Sequence, residues 1–445
     1  MGFVLSLLYF VVCYLTPQAI FGPLAAYRIE LILALLVSVV SLPALSGSLI
    51  WKTPQSLALI GLGFAVLLSV LVGMRWAAGS VTALLLFIPN AFAYFLVCLH
   101  CNTKKRLNII VLMVFFVCMF VMAHGYYDLQ HGFTDSDYLM AQMNDAGQWI
   151  YRVRGLGGIN DPNDFAQLIA CISPLMFIFW RKRQTLRNTV CVIVPVCALL
   201  YGEFLTHSRG GVLAFLAMAI VAARRRIGTL PALLLAAVLF VAASALHVTG
   251  GRDISANAGE DRTDLWSESM QLLKSHPLFG IGFGNLPDYL GHTAHNTILV
   301  CAAELGLIGF YFWSLFLFPT LRNALTAASP VQVSDGEPIT HAKELLPFQV
   351  TKIEQIDKAD INNLGRLLVV SLTGFLVAGW FLSRAFVMTF YLLGGMVEVV
   401  FEMALQRGMI APRWPMARVL RFSGGLAIVL LVVMYITLRV VNLMH

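Results

Sequence analysis

Charge is what this chain has least of. Lys, Arg, Asp and Glu make up 12% of its 445 residues while apolar residues make up 59%, against roughly 25% and 45–50% in soluble globular proteins. The shortfall excludes an ordinary soluble enzyme and requires that lipid cover much of the exterior. Cysteine says little. Cys13, Cys118, Cys171, Cys191, Cys197 and Cys301 lie inside apolar runs, where a thiol behaves as a small hydrophobe, and no disulfide framework is legible. Cys98-x-x-Cys101 has only His100 beside it and lacks the further ligands of a structural zinc site. No basic stripe is interleaved with aromatic residues, so the net charge of +7 does not point to nucleic acid. Fixed-period repeats, low-complexity tracts and strand-rich segments are missing as well. No early basic residue and no small-residue cleavage site precede Pro17, so the first apolar run reads as a retained span and not a signal peptide.

What the chain does have is long apolar runs. A helix needs about 20 apolar residues to cross the hydrocarbon core, where lipid offers unpaired backbone groups no partner. Thirteen segments come close to that: 3–22, 29–49, 54–73, 78–99, 107–124, 161–180, 188–206, 210–223, 229–248, 297–318, 366–384, 386–403 and 423–442. The expected fold is therefore all-α, a polytopic bundle of 12–13 transmembrane helices forming a single membrane domain over 1–445.

Lysine and arginine set the orientation, because cytoplasmic loops hold an excess of them. With a cytoplasmic N-terminus, the inner side collects Lys52, Lys104 to Arg106, Arg181 to Arg187, Arg224 to Arg226, the basic residues from Arg322 to Arg366, and those from Arg407 to Arg421. Arg28, Arg75, Arg152, Arg154, Arg209, Arg252, Arg262, Lys274, Arg384 and Arg439 then fall outside. All but one of these are arginines, whose planar fork suits phosphate better than a lysine does. Two outer loops, 125–160 and 249–296, are long enough to build a site. A third long loop, 319–365, faces inward, is mixed in charge around Lys343, Glu344 and Lys352, and reads as a structural or regulatory element.

Three clusters on the outer side could carry chemistry. The first runs from Tyr151 to Ala166, a Gly-rich entry with Arg152, Arg154, Asp161-Pro162 and Asn163. Asp161 before Pro162 is a good helix N-cap, and a plain cap explains Asp161 and Asn163 as well as a substrate contact does. The second is His207-Ser208-Arg209-Gly210-Gly211, a tight turn that holds Arg209 at or just below the membrane surface. An ionisable group there is a functional hypothesis, with snorkelling to the headgroups as the competing account; Glu203, Glu304 and Glu398 are possible counter-ions. In the third, Leu265, Trp266, Met270, Leu272 and Leu273 alternate with polar residues as an amphipathic helix over 262–276. A glycine loop, Gly280-Ile281-Gly282-Phe283-Gly284-Asn285, and His292-Thr293-Ala294-His295-Asn296 follow. With no strand before it, the glycine loop is not a dinucleotide fingerprint. His295 precedes the tenth span, where the positive end of the helix dipole disfavours imidazolium; a capping role is the alternative.

Several outer arginines with one histidine and no acidic metal pair suit transfer from a polyprenyl diphosphate. Bidentate arginines can stabilise the leaving diphosphate in place of a metal ion, while a neutral histidine or a carboxylate deprotonates the incoming hydroxyl.

The residues also resemble a known family. Arg154 with Asp161-Pro162-Asn163, Ser208-Arg209-Gly210-Gly211, Arg262-x-x-x-Trp266, His276-Pro277-Leu278-Phe279-Gly280-Ile281-Gly282-x-Gly284-Asn285, His295-Asn296 and Glu304-Leu305-Gly306-Leu307-x-Gly309 are similar, in order and spacing over about 150–310, to the bacterial O-antigen ligase and polymerase superfamily. The resemblance implies a GT-C type B-like bundle and a metal-independent, inverting glycosyltransferase of the bacterial inner membrane, acting without a cofactor at the periplasmic face. It implies an undecaprenyl-diphosphate-linked glycan as donor and a lipid, glycan or protein hydroxyl as acceptor. His295, Arg209 and Arg262 would be catalytic, and Arg154, Arg152, Asp161, Asn163, His292 and Asn296 would bind substrate. Two departures bear on the acceptor: 249–296 is short for docking a lipid A core, and 319–365 is outside the family's pattern. The alternative reading is a secondary transporter of a small anion or solute, for which Glu203, Glu304, Glu398 and Glu402 would be path residues.

Overall fold

Because lipid leaves peptide groups no partner but one another, each apolar run folds as a helix. A computed structural model describes residues 1–46, 48–251, 260–329 and 358–444. In chain order its elements are α1 (Gly2–Leu15), α2 (Pro17–Ile20), α3 (Ile29–Leu45), α4 (Pro54–Leu68), α5 (Ala77–His100), α6 (Lys104–His131), β1 (Leu139–Met143), β2 (Trp149–Val153), α7 (Pro162–Ile172), α8 (Thr185–Asn188), α9 (Val194–Thr206), α10 (Arg209–Ile227), α11 (Thr229–Ala245), α12 (Glu260–Ser275), α13 (Leu286–Leu290), α14 (Thr297–Ala328), α15 (Lys358–Gly379), α16 (Met388–Gln406) and α17 (Met416–Met444), with short 3-10 and π turns between some of them. Among the described residues nine helices are long and apolar enough to cross a membrane, and α1, α3 and α11 are shorter apolar helices. The protein is an all-α, multi-pass membrane protein.

The predicted spans fall on helices with shifted ends, but 3–22 is broken at the left-handed Thr16, and α10, over the predicted 210–223, is not among the nine. Helix α6 runs past the predicted 124 to His131, and α14 past 318 to Ala328. The loop expected over 125–160 therefore starts later and holds an antiparallel hairpin, β1–β2, that pairs Leu139 with Val153 and Met143 with Trp149. Asn144 forms its turn by accepting from the N–H groups of Ala146 and Gln148. The predicted amphipathic helix over 262–276 is α12. Residues 330–357, which carry Lys343, Glu344 and Lys352, and residues 252–259, which include Arg252, lie outside the described residues.

The chain forms two compact units. The first comprises Met1–Ala44, His100–Ile254 and Val350–Ala378. In it α7 packs against α6, α9 and α10, and the hairpin lies on α6 and α9. A Cβ at Gly125 would come within 2.5 Å of Val153 Cγ1, so β2 rests directly on the helix. The second unit comprises Leu45–Leu99, Ser255–Gln349 and Gly379–His445. Its axis is α14, which contacts α4, α12, α16 and α17. Helix α16 is buried along almost its whole length, and Phe310, Trp313, Phe316, Phe390 and Tyr391 form an aromatic core around it.

Helix α14 is broken at Gly306, where φ is 66° and ψ is −170°, a region that essentially only glycine visits. The glycine loop fills the break. Ile281 and Gly282 donate to the carbonyls of Ala303 and Glu304 at 3.0 Å each, and Leu307 and Ile308 donate to Pro277 and Leu278 at 2.8 and 3.3 Å. The Glu304 carboxylate accepts from Leu286 N at 3.4 Å, at the start of α13. A Cβ at Gly306 would stand 2.4 Å from the carbonyl carbon of Leu278, a backbone atom that cannot swing away. Gly306→Ala should therefore destabilise the second unit by about 2 kcal/mol or more, read as a lowered thermal midpoint in detergent. An unchanged midpoint would show that the break is not held by this contact.

Candidate functional site

In the first unit three chain segments are joined by one buried guanidinium. Arg152, the fourth residue of β2, is 2% exposed. Its Nε donates to Thr206 O at 2.7 Å, Nη1 to Gln142 Oε1 at 2.7 Å and Nη2 to Asn163 Oδ1 at 2.8 Å. The fork thus ties β1, the end of α9 and the start of α7 together. Asn163 is itself fixed by Asp161, whose Oδ1 accepts from Asn163 N at 2.7 Å and from Nδ2 at 2.9 Å. Asn163 Oδ1 also accepts from Ser208 Oγ at 2.9 Å, and Ser208 caps α10 by accepting from Gly211 N at 3.2 Å. Burial pulls the Arg152 pKa down to about 10; Asp161 opposes the fall, Arg209 adds to it and Glu203 opposes it. The group stays a cation at neutral pH.

Arg209 is the first residue of α10, directly after the left-handed His207 and the capping Ser208. Gly211 leaves room for the Glu203 carboxylate: a Cβ there would stand 1.7 Å from Glu203 Oε1, so the Glu203 side chain would have to shift. Glu203 is buried, and neither carboxylate oxygen has a hydrogen-bond partner among the described residues. Arg154 is half-buried. Its Nε donates to Asp137 O at 2.9 Å and Nη1 to Asn160 O at 3.4 Å.

In the second unit, Arg262 lies in the first turn of α12, half-buried. Trp266, one turn further on, donates from Nε1 to Ala294 O at 2.8 Å and stands edge-on to Trp380. The segment from Ala294 to Thr297 is pinned along its length. His295 N donates to Ser383 Oγ at 2.9 Å, Asn296 Nδ2 to Trp380 O at 3.0 Å, and Thr297 Oγ1 to Leu382 O at 2.7 Å. Asn296 Oδ1 caps α14 by accepting from Ile298 and Leu299 N–H at 3.0 and 3.1 Å. These bonds hold His295 at a φ of 48°, a left-handed conformation rare for a residue with a side chain. His292, by contrast, is exposed.

Of the residues singled out in the sequence, Arg152, Arg154, Asp161, Asn163 and Arg209 thus belong to the first unit, and Arg262, His292, His295 and Asn296 to the second. Arg152, Asp161, Asn163 and Asn296 spend their polar atoms on neighbouring chain segments. Trp380 and Ser383 escaped notice because nothing near them in the sequence marks the contact; the adjacent Arg384, an arginine at a span end, was the one legible signal. Among the described residues, no group of three or more His, Cys, Asp or Glu is placed to hold a metal ion.

Residues 194–314 match the Wzy_C family, described as O-antigen ligase. No curated protein matches the chain.

The bonding of Arg152 carries a prediction. Arg152→Ala leaves Thr206 O, Gln142 and Asn163 facing a void and should cost about 3 kcal/mol, the range for breaking a buried charged network. Arg152→Lys keeps the charge but cannot serve three acceptors at once, and should recover less than half of that. Thermal unfolding in detergent, with hydrogen exchange over 139–153, reads both; an alanine variant with native exchange would refute the bracing role.

Proposed function

We propose, from the premise that the central segment of this chain belongs to the O-antigen ligase and polymerase superfamily, that the protein transfers a glycan from a polyprenyl diphosphate to an acceptor hydroxyl in surface polysaccharide assembly. The observation that carries this reading is that the matched segment, 194–314, contains Arg209, Arg262 and His295, three of the outer basic residues singled out in the sequence.

In the reaction, the acceptor oxygen attacks the anomeric carbon and the bond to the diphosphate breaks with its electron pair. His295 takes the hydroxyl proton, and Arg209, Arg262 and Arg154 stabilise the charge gathering on the diphosphate. Attack from the face opposite the leaving group inverts the anomeric centre. The roles of Arg152, Asp161, Asn163 and Asn296 are to position: they hold Ser208, and with it Arg209, and the turn that carries His295. His292, exposed three residues before His295, is suited to contacting substrate directly. The active face is periplasmic, with the N-terminus in the cytoplasm of a bacterial inner-membrane protein.

Electrostatics support an anionic substrate. Arg209 opens α10, whose first turn holds no acidic residue, and a cation at the positive end of a helix is unfavourable by roughly 0.3–1 kcal/mol. A diphosphate bound there reduces the penalty. A transporter reading would use the break in α14 to expose carbonyls to an ion, but the carbonyls of Ala303 and Glu304 are taken by Ile281 and Gly282.

Arg209→Ala and His295→Ala should each lower glycan transfer by about a hundredfold or more while leaving membrane insertion intact. A deletion strain tests the class of acceptor: lipid-linked single repeats accumulate if a polymerase is lost, full-length polymer if a ligase is lost. Full transfer by both variants, or solute uptake by reconstituted vesicles without transfer, would overturn the reading.

A further inference from the structure

A second cationic corner lies in the second unit, where α14 ends and α17 begins. The acidic residues of α16 there are satisfied by one guanidinium. Arg413 Nη2 lies 2.5 Å from Glu398 Oε1 and 2.7 Å from Glu402 Oε2. Glu398 also accepts from Gln55 and Asn323 at 3.1 Å each. Among the described residues neither Arg322 nor Arg418 forms an ion pair; Glu398 acts on Arg322 only from beyond ion-pair distance, and Arg322 donates to Asn323 Oδ1 at 3.1 Å.

Both of these guanidiniums are held on one indole. The Cζ atoms of Arg322 and Arg418 lie 4.2 and 5.3 Å from the ring centroid of Trp414. Two cations gathered on one ring repel each other, and the arrangement is completed by an anion that accepts from both forks. From Arg407 to Arg421 the chain carries four arginines and no acidic residue, and among the described residues the nearby Glu398 and Glu402 form their ion pairs with Arg413.

What lies beside the cations decides which anion it is. Trp414 packs on Phe422 at 5.3 Å and on Phe318 at 6.3 Å, and Phe318 and Phe422 stack at 8°. Phe422 is 52% exposed, and α17 goes on to expose Ile428, Val429 and Val432. A free phosphate would use the forks and leave this apolar face bare. A lipid with an anionic phosphodiester uses both, its phosphate on the guanidiniums and its acyl chains along α17. We propose that Arg322, Arg418 and Trp414 form a binding site for an anionic diacyl phospholipid, separate from the transfer chemistry. Basic pockets between membrane helices have this use elsewhere, and tryptophan belongs at the headgroup level.

The test uses the full chain in phosphatidylcholine vesicles doped with phosphatidylglycerol carrying brominated acyl chains, which quench nearby indoles. The difference between the wild type and Trp414→Phe isolates the signal of Trp414. Quenching should require the phosphatidylglycerol headgroup, and R322Q/R418Q should weaken it about thirtyfold, since each arginine near the surface contributes roughly fivefold. Arg418→Gln alone, at an exposed position, should lose about fivefold and serves if the double variant fails to fold. Equal quenching by brominated phosphatidylcholine, or no change in either arginine variant, would overturn the proposal. Displacement by millimolar inorganic phosphate would overturn it too, by making the site one for a free anion.

Discussion

A peptide group left unpaired in hydrocarbon costs several kcal/mol, so a membrane helix can be interrupted only where other protein groups take up its donors and acceptors. The interruptions in this chain are therefore built features. At Gly306 the glycine loop supplies the missing partners, two N–H groups from one side and two carbonyls from the other. At Thr206 the released carbonyl receives Arg152 Nε. At the start of α14 the free N–H groups of Ile298 and Leu299 receive Asn296. The last two repairs are made by Arg152 and Asn296, each within two residues of a residue proposed to act on substrate, so there the cost of ending the helix and the placement of the chemistry are settled by the same bonds.

Rigidity follows. His295 keeps its left-handed backbone because Ser383 accepts its N–H while the flanking Asn296 and Thr297 are anchored to Trp380 and Leu382. Strained conformations of this kind cost about 1–3 kcal/mol and persist where the surroundings over-determine them. Arg209 is held in another way, as the first residue of a helix whose cap, Ser208, is bonded to Asn163 and so to Arg152. In both units the residue proposed to act lies at or beside a helix start, and side chains that fix that start come from a distant part of the sequence.

That separation explains what could be read in advance. Spans were legible because lipid imposes length and apolarity on each one locally, and α12 was legible from its own amphipathic spacing. The break at Gly306 was not, since glycine in an apolar run looks the same whether or not another segment fills the gap beside it. The β1–β2 hairpin escaped because Leu139 to Met143 lacks the alternation of a strand with one face buried; its register is set by the turn at Asn144 and by packing on α6. Arg152 and Arg154, two apart in one motif, looked equivalent. The fold separates them, burying the first among three acceptors and leaving the second half-buried on backbone carbonyls.

The same comparison bears on why arginine is used so heavily in a chain that otherwise avoids charge. Arg152 and Arg413 are buried or nearly so, each with several oxygen partners, and act as joints between helices. Arg322 and Arg418 lie on an aromatic ring. Arg209 stands at the positive end of α10 with no acid in that turn. A lysine could carry the charge at any of these places, but only a planar fork can bind three acceptors in fixed directions or lie flat on an indole. Where the fork's partners are all protein atoms, the arginine is structural. Where an arginine opens a helix, as Arg209 does, the helix field opposes the cation, and such a position says more about a possible substrate contact than the number of arginines does.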